Sequence, residues 1–286
     1  MIIVHSLQAL RQALLGVPAY HPGVAFVPTM GALHHGHISL VAAARRLSPT
    51  VVTSIFVNPT QFNDPADFAR YPKSLEQDID MLEAAGTHLL FLPEVATLYP
   101  QGTQHLPPYP LGRLEQLLEG VHRPGHFQGV CQVVHRLLQA VQPGHLLLGA
   151  KDYQQCMVVR QLLLQTALPI QLQIVPTMRE ADGLAMSSRN RRLGADGRQK
   201  AASIYRTLQW INSQWPHAQP AILEAEARRQ LLAAGFESVD YCSICHAHTL
   251  EPLQQADADE PAVALVAATL EGVRLIDNLP LGPKMA

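Results

Sequence analysis

The feature that most constrains this fold is an alternation, over the first 176 residues, of short continuously apolar runs with helix-like stretches. We predict strands at VAFVP (24–28), VVTSIFV (51–57), HLLFLP (88–93), HLLLG (145–149) and LQIVP (172–176). Helices are predicted over 37–46, 74–85, 129–141 and 153–166. Strands that are apolar throughout, rather than at alternate positions, are typical of a parallel sheet covered on both faces. The repeated order therefore predicts an α/β fold, a Rossmann-like doubly wound parallel sheet with right-handed crossovers.

The pattern changes after residue 186, which indicates a second domain. The polar, basic run SSRNRRLGADGRQK begins there, and helices are predicted over 198–215 and 219–234. Strands follow at VDYCSIC, AVALVAATL and VRLIDNL. We therefore predict a domain over 1–186 and a smaller α+β domain over 187–286. Segment 94–128 is rich in Pro, Gly and His, and we expect it to be irregular around a short helix near 111–119.

Length and charge narrow the functional class. At 286 residues the chain is long enough for two domains with their own cores. A net charge of -2 gives no bulk attraction for nucleic acid or an anionic membrane, so neither is expected as a partner. MIIVHSLQAL lacks the basic residues of a signal peptide, and no apolar run approaches the length of a membrane span. With 4 unevenly spaced cysteines, we expect reduced thiols and a cytoplasmic location.

The unusual polar clusters follow the predicted strands. TMGALHHGH follows the first strand, NPTQFN (58–63) the second, AKDYQQ (150–155) the fourth and TMREADGLAMSSRN (177–190) the fifth. Ligands of open parallel sheets bind beyond the carboxyl ends of the strands. The sequence therefore predicts one site built from at least four strand ends.

The stretch PTMGALHHGHISLV (28–41) crowds three histidines and two glycines into seven positions. We predict that His37 begins a helix, so that His34 and His37 share one face. Gly36 removes a side chain, so a phosphate could reach the backbone amides and the positive end of the helix dipole. Both imidazoles can donate to phosphate oxygens, which favours a nucleotide α-phosphate site rather than a Walker loop. Structural histidines and a zinc site are the alternatives.

Two further clusters suit a nucleotide. In MSSRN, Arg189 offers a planar fork for phosphate, and Ser187 and Ser188 add short donors. A solvated turn is the alternative for this pentapeptide. KDYQQ adds a cation, Lys151, and a carboxylate suited to ribose hydroxyls, Asp152.

The segment CSICHAH (242–248) invites a zinc interpretation, because C-x-x-C is followed by two histidines. The Cys and His pairs are too close together for a zinc-finger spacing. The segment also alternates like a strand, with Tyr241, Ser243 and Cys245 on one side. We predict a strand without metal here.

Together, PTMGALHHGHISLV, IFVNPTQF, RPGHFQGV, KDYQQ and DGLAMSSRN resemble the pantothenate synthetase family, within the wider HIGH-type nucleotidyltransferase group, and RLIDN agrees. The resemblance spans nearly the whole chain. It implies an ATP- and Mg²⁺-dependent ligase that joins pantoate to β-alanine through an acyl adenylate and releases AMP and pyrophosphate. It also implies a homodimer, for which we expect VVTSIFV and segment 94–128 to provide the contact.

The resemblance also implies roles for individual residues. His34, His37 and Lys151 are expected to be catalytic, with His37 as proton donor. Gln61 and Gln155 are expected to hold pantoate, and Gln61 also β-alanine. The expected ATP-binding residues are Met30, Gly31, Ala32, Leu33, His34, His35, Gly36, His37, Gly149, Ala150, Lys151, Asp152, Met178, Met186, Ser187, Ser188 and Arg189.

Some positions depart from the family's usual pattern. Ala150 stands where Glu is common, and Met178 where Val is frequent. Gln132 replaces the usual Thr, and His135-Arg136 stand where Ala-Lys is common. None of these changes removes a group to which the resemblance assigns chemistry.

Two other functions fit parts of this pattern. A nucleotidyltransferase that adenylates a phosphate would need more cations for its acceptor, and Gln61 and Gln155 argue against it. A nucleotide-sensing binding protein would need the phosphate site but not the paired glutamines. Pantoate-dependent exchange of pyrophosphate into ATP separates all three.

Overall fold

The computed structural model describes residues 1–17, 19–20, 23–62 and 74–282, which form two compact units. The first unit comprises Met1–Gly149 and Gln155–Pro176, and the second comprises Ala150–Gln154 and Thr177–Ala286. The domain boundary that we place after residue 186 stays a prediction. By internal contacts, the chain enters the second unit at Thr177. Asn63, the last residue of the predicted NPTQFN cluster, lies outside the described residues.

The first unit contains a parallel sheet of six strands. These strands are β1 (Ile2–Val4), β2 (Val24–Thr29), β3 (Thr50–Ile55), β4 (Leu89–Phe91), β5 (His145–Gly149) and β6 (Gln171–Val175). Their order is β1-β4-β3-β2-β5-β6, and every pair is parallel. The five predicted strands and the doubly wound parallel sheet are confirmed. Strand β1 was not predicted, and β6 lies at an edge with its side chains partly exposed.

Helices flank these strands along the first part of the chain. They are α1 (Leu7–Ala13), α2 (His35–Leu47), α3 (Leu75–Ala84), α4 (Val95–Leu98), α5 (Glu119–His122), α6 (His126–Val141) and α7 (Tyr153–Thr166). Helix α2 begins two residues before the predicted start at His37. Before α6 begins at His126, segment 94–128 holds only short helices, including a 3₁₀ turn at Gly112–Glu115, as expected for an irregular connection.

Helix α6 shows how the apolar pattern produces this packing. Val130, Val134, Leu137 and Val141 recur every three or four residues and are all buried. Each contributes about 1.5–3 kcal/mol by leaving water. The helix therefore holds its N-terminal turn, which begins at His126, in a defined place on the first unit.

Strand β3 lies inside the sheet, which corrects one expectation. It pairs with β2 on one side and with β4 on the other, and residues 51–54 are buried. A strand with both edges paired and both faces covered has no surface to offer a second subunit. The expected subunit contact through VVTSIFV is therefore wrong for this part of the segment.

The second unit packs helices against an antiparallel sheet. Its helices are α8 (Ala195–Ala201), α9 (Ser203–Gln214) and α10 (Pro220–Ala233), and its strands are β7 (Ser238–His246), β8 (Ala262–Leu270) and β9 (Val273–Leu281). The strand order is β7-β8-β9 with both pairs antiparallel. Its core joins Ile204 and Leu208 of α9 to Ala264 and Val266 of β8. The predicted α+β pattern is confirmed.

Across the described ranges of the chain, no helix is both long and apolar enough to cross a membrane.

Candidate active site

The first unit has a topological switch point between strands β2 and β5. These strands are neighbours, yet the chain continues from β2 to β3 on the opposite side. Ligands of doubly wound sheets bind where the strand order reverses in this way, beyond the carboxyl ends of the strands. Met30 directly follows β2, and Gly149 ends β5. Two of the predicted site segments therefore begin at the switch point.

The loop after β2 is held by a buried carboxylate that the sequence did not reveal. Asp78 of α3 accepts the backbone N–H of Ala32 at 2.8 Å on one oxygen and that of Leu33 at 2.8 Å on the other. The Ser74 hydroxyl donates to the same carboxylate at 3.1 Å. Hydrogen bonds to an ionised group contribute about 1.5–3 kcal/mol each. Asp78 therefore fixes the course of the chain immediately before His34.

The tight path of this loop explains its small residues. Gly31 and Ala32 have positive φ angles of 80° and 51°. A Cβ on Gly31 would lie 3.0 Å from Asp78 Oδ2 and 3.1 Å from Ile55 Cγ2. Because an L side chain would be strained there and would also push against the carboxylate, position 31 requires glycine.

His34 and His37 orient one another at the start of α2. His34 is the N-cap and accepts the Gly36 N–H on Nδ1 at 3.2 Å. His37 accepts the His34 N–H on its own Nδ1 at 3.3 Å, and the ring centroids lie 4.2 Å apart. A neutral ring that accepts on Nδ1 carries its proton on Nε2. The loop therefore sets both imidazoles as Nε2–H donors.

Three backbone amides of this loop already have acceptors within the protein. The amides of Ala32, Leu33 and Gly36 already donate within the protein, to Asp78 and to His34. The expectation that a phosphate approaches the backbone amides and the helix dipole at Gly36 stays a prediction. The imidazole rings of His34 and His37 are further donors on this loop.

Gln61 is brought to the same loop by the 3₁₀ turn Pro59–Gln61, which follows β3. Its side chain is buried, and Nε2 donates to Met30 Sδ at 2.9 Å. Its Oε1 accepts from Asn58 Nδ2 at 3.2 Å. This hydrogen bond joins Gln61, which is predicted to hold pantoate, to Met30, which is predicted to bind ATP.

Asn58 is fully buried and is the centre of a network that the sequence did not identify. Its Nδ2 donates to the Gly129 carbonyl at 3.0 Å, and its Oδ1 accepts from the Tyr99 hydroxyl at 2.9 Å. A Cβ on Gly129 would lie 2.2 Å from the Thr60 carbonyl oxygen, so only glycine lets α6 approach this closely. His126 Nδ1 lies 2.9 Å from the Gln61 carbonyl oxygen. Gln61 is therefore held by both backbone and side chain.

Burial raises the pKa of Tyr99 above its usual value. The hydrogen bond with Thr60, the Arg136 charge and the hydrogen bond to Asn58 lower it by smaller amounts. The phenol therefore keeps its proton at neutral pH and donates to Asn58.

Three of the positions that depart from the family pattern, Gln132, His135 and Arg136, lie on helix α6. Arg136 lies over the Tyr99 ring at 4.7 Å and donates to the Gln132 carbonyl at 2.9 Å. His135 Nδ1 lies 2.6 Å from the Tyr109 hydroxyl oxygen. Burial, followed by the Arg136 charge, lowers the pKa of His135, which favours the neutral ring. These three departures therefore lie around Tyr99 and Tyr109, and none puts a charged group in place of Gln61.

The second unit carries the remaining predicted nucleotide residues. Lys151 and Asp152 lie in the 3₁₀ turn Ala150–Asp152, with Lys151 Nζ 3.8 Å from Asp152 Oδ1. The Lys151 side chain is 18% exposed and that of Asp152 51%, so this pair is loose and partly solvated.

Met178 and Met186 face each other across a short antiparallel turn. The Met186 N–H donates to the Met178 carbonyl at 2.9 Å, and Arg179 bridges to Ala185. Gly183 closes the turn with a φ of 91°. A side chain there would collide with the Tyr205 ring, because its Cβ would lie 2.3 Å from Cδ1.

The MSSRN segment continues directly into the 3₁₀ helix Ser188–Arg192. Ser187 caps it by accepting the Arg189 N–H at 3.3 Å, and Ser187, Ser188 and Arg189 are all half-buried. A capped, partly buried turn differs from the freely solvated turn that was the alternative.

The predicted site residues thus divide between the two units. The first holds Met30, Gly31, Ala32, Leu33, His34, His35, Gly36, His37, Gln61, Gly149 and Gln155. The second holds Ala150, Lys151, Asp152, Met178, Met186, Ser187, Ser188 and Arg189. The residues that sequence reasoning missed are Asn58, Asp78, Tyr99, His126 and Gly129. Three of these residues lie in motifs that carry the family resemblance: Asn58 in NPTQF, and His126 and Gly129 in RPGHFQGV.

The CSICHAH segment forms most of strand β7 and the turn after it, as predicted. Cys242 and Cys245 are both buried, and burial raises the pKa of each thiol to about 12. The described part of the chain contains no group of three or more His, Cys, Asp or Glu side chains arranged to hold a metal ion.

We predict that Cys242→Ser and Cys245→Ser keep the kcat of the parent protein. Each variant buries a hydroxyl in place of a thiol, which costs about 1–3 kcal/mol of unfolding free energy. Neither cysteine belongs to a segment predicted to bind a substrate. The matching measurement is zinc content of protein purified without added metal, which we expect to be far below one equivalent. Near-equimolar zinc that disappears in either variant would contradict the strand interpretation.

Comparisons with known proteins agree on one family. A family model described as pantoate-beta-alanine ligase matches residues 2–280. A pantothenate synthetase of Cytophaga hutchinsonii is 44% identical over 282 residues, covering 98% of this chain and 99% of the relative. The solved pantothenate synthetase of Thermus thermophilus has 43% identity and a TM-score of 0.91, covering 99% of this chain and 100% of that one. The pantoate-beta-alanine ligase of Francisella tularensis, solved with beta-gamma ATP and beta-alanine, has 35% identity and a TM-score of 0.80, covering 98% and 97%.

Proposed function

This chain belongs to the pantoate–β-alanine ligase family, and on that premise we propose that it condenses (R)-pantoate with β-alanine, using ATP. The products are pantothenate, AMP and pyrophosphate. The observation that carries this proposal is the hydrogen bond from Gln61 Nε2 to Met30 Sδ at 2.9 Å. It sets a neutral amide suited to an acid substrate beside the histidine loop suited to a nucleotide.

In the first step, a pantoate carboxylate oxygen attacks the α-phosphorus of ATP and pyrophosphate leaves. Negative charge grows on the phosphate oxygens as the new bond forms. The Nε2–H groups of His34 and His37 donate to those oxygens, and Lys151 adds a cation. A neutral amide at Gln61 holds the carboxylate without stabilising its charge, so the carboxylate keeps its nucleophilicity.

In the second step, the amine of β-alanine attacks the acyl carbon of pantoyl adenylate. The amide bond forms, AMP leaves with the electron pair of the broken C–O bond, and the proton of the amine passes to solvent. A carboxylate is a poor acylating agent, and adenylation supplies the leaving group that it lacks. Water would also cleave this mixed anhydride, so residues 187–286 are proposed to act as a lid.

The residue roles follow the same proposal. ATP contacts are assigned to Met30–His37, Gly149–Asp152, Met178 and Met186–Arg189. Pantoate contacts are assigned to Gln61 and Gln155, and β-alanine contacts to Gln61. The similarity to the Francisella tularensis ligase, solved with beta-gamma ATP and beta-alanine, supports the substrate assignment.

Mg²⁺ is proposed to enter as the ATP chelate, because this ion is usually bound by substrate phosphates with one or two carboxylates. A homodimer is also proposed, on the family resemblance alone, and a cytoplasmic location is proposed from the reduced thiols that the sequence predicts. Light scattering of the purified protein measures its mass directly.

We predict that the protein exchanges labelled pyrophosphate into ATP when pantoate and Mg²⁺ are present and β-alanine is absent. With pantoate labelled by ¹⁸O in its carboxylate, one labelled oxygen should appear in AMP after full turnover. Omission of pantoate is the control, and it should abolish the exchange. AMP without label would show that the carboxylate never attacked phosphorus and would reject the adenylate mechanism.

A further inference from the structure

Strand β9 carries two adjacent buried polar residues in an otherwise apolar neighbourhood. Asp277 and Asn278 are each 3% exposed. Burying a carboxylate and an amide is costly unless their polar atoms find partners. The partners of Asp277 and Asn278 both lie in segments predicted to bind the nucleotide.

The amide of Asn278 holds the turn that carries Lys151. Nδ2 donates to the Ala150 carbonyl at 2.8 Å and to the Lys151 carbonyl at 2.9 Å. An amide nitrogen has two hydrogens, so both are used on two successive carbonyls. Fixing two adjacent peptide planes sets the direction in which the Lys151 side chain leaves the backbone.

Asn278 is itself held in place by the neighbouring ion pair. Its N–H donates to Asp277 Oδ1 at 2.8 Å. Arg179 binds Asp277 with both arms of its fork, at 2.6 and 3.0 Å, and also donates to the Asn278 carbonyl at 3.2 Å. The Arg179 guanidinium stacks over the Tyr205 ring at 3.8 Å.

The same arginine reaches the turn between Met178 and Met186. It donates to the Gly183 carbonyl at 3.1 Å, at the tip of that turn. One group of side chains, consisting of the half-buried Arg179 and the buried Asp277 and Asn278, therefore holds both the Lys151 turn and the Met178–Met186 turn.

We propose that Asn278 is a positioning residue for the ligase reaction, acting through the backbone of Ala150 and Lys151 on the Lys151 ammonium. This inference rests on the proposed function, in which Lys151 stabilises the charge that develops at the α-phosphate. The Lys151 stem has several rotatable bonds, so its anchor at the backbone decides where the ammonium can reach. A shift of about 1 Å in a catalytic group can cost on the order of 10²-fold in rate.

The test is a double-mutant cycle between Asn278→Ala and Lys151→Ala, read as kcat in the presence of saturating ATP and pantoate. We expect Asn278→Ala to lower kcat by roughly 10- to 30-fold with little change in the KM for ATP. In the Lys151→Ala background, the second substitution should have almost no further effect, because the group that it positions is gone. Independent sites would instead multiply their losses.

Arg274→Ala is the matched control, because Arg274 lies on the same strand and donates to Asp240 at 2.6 Å. It breaks the ion pair with Asp240 in the second unit and leaves Asn278 and its hydrogen-bond partners Ala150 and Lys151 unchanged in sequence, so kcat should be unchanged. Asn278→Asp is measured in parallel, since this near-isosteric side chain cannot donate to both carbonyls. All rates are normalised to the folded fraction at the assay temperature.

Amide hydrogen exchange separates this inference from the proposed function. In Asn278→Ala the peptide covering residues 150–154 should exchange faster, and in Arg274→Ala it should not. That result holds whether or not the wild-type protein makes pantothenate. Unchanged exchange, a wild-type kcat in both Asn278 variants, or losses that multiply in the cycle would each overturn the positioning role.

Discussion

Replacing Lys151 with alanine is expected to lower kcat by roughly 10²–10³-fold, by analogy with the removal of one oxyanion donor. The KM for ATP should change little, because charge on the α-phosphate is greater in the transition state than in bound ATP. The loose 3.8 Å separation from Asp152 leaves the ammonium free to turn toward a phosphate. Steady-state kinetics in ATP and in pantoate separate these two parameters.

Lys200→Ala is the control for this variant. Lys200 lies on helix α8 of the same unit, so its loss removes an equal charge away from the Lys151 turn. We expect its kcat to equal that of the parent protein. A Lys151→Ala enzyme that turns over within a few-fold of the parent rate would remove Lys151 from the catalytic residues.

Asp78→Asn is expected to lower kcat by about 10²-fold and the free energy of unfolding by about 1–3 kcal/mol. The asparagine can place an oxygen against only one of the two amides of Ala32 and Leu33. Its NH₂ group then faces the other, and a buried N–H is left without an acceptor. The loop must shift, and the Nε2–H groups of His34 and His37 shift with it. Urea unfolding and pyrophosphate exchange measure the two effects.

Asp80→Asn, an exposed change on the same helix, serves as the control and should alter neither quantity. A loss of unfolding free energy reports a role of Asp78 in the fold, whereas a loss of kcat reports a role in placing the imidazoles. A destabilised variant with a normal kcat at full folding would show that Asp78 only supports the fold. It would then have no part in setting the imidazoles.

Local patterns were sufficient to predict most of the fold. Strands β2, β3 and β5 were predicted from runs of mostly apolar residues, because a strand covered on both faces buries nearly all of its side chains. Strand β1 was missed because three residues are too few for a periodic signal. It exists because Ile2–Val4 pair with Leu89–Phe91 at the edge of the sheet.

The histidine loop shows how far a motif can be interpreted alone. Spacing placed His34 and His37 on one face, since residues three apart are neighbours at a helix start. Spacing could not reveal that the amides of Ala32 and Leu33 are already occupied. Asp78, which occupies them, is 46 and 45 positions away along the chain.

The sequence by itself determined the α/β order of elements, the family and the polar clusters at the strand ends. All of these depend on residues that are close together along the chain. Only the tertiary structure decided how those clusters are held. Asn58 lies 71 positions from the Gly129 carbonyl that it binds, and Asn278 lies 128 positions from Ala150. Partners so distant leave no periodic trace in the chain, because a hydrogen bond between them forms only after the elements that carry them have packed.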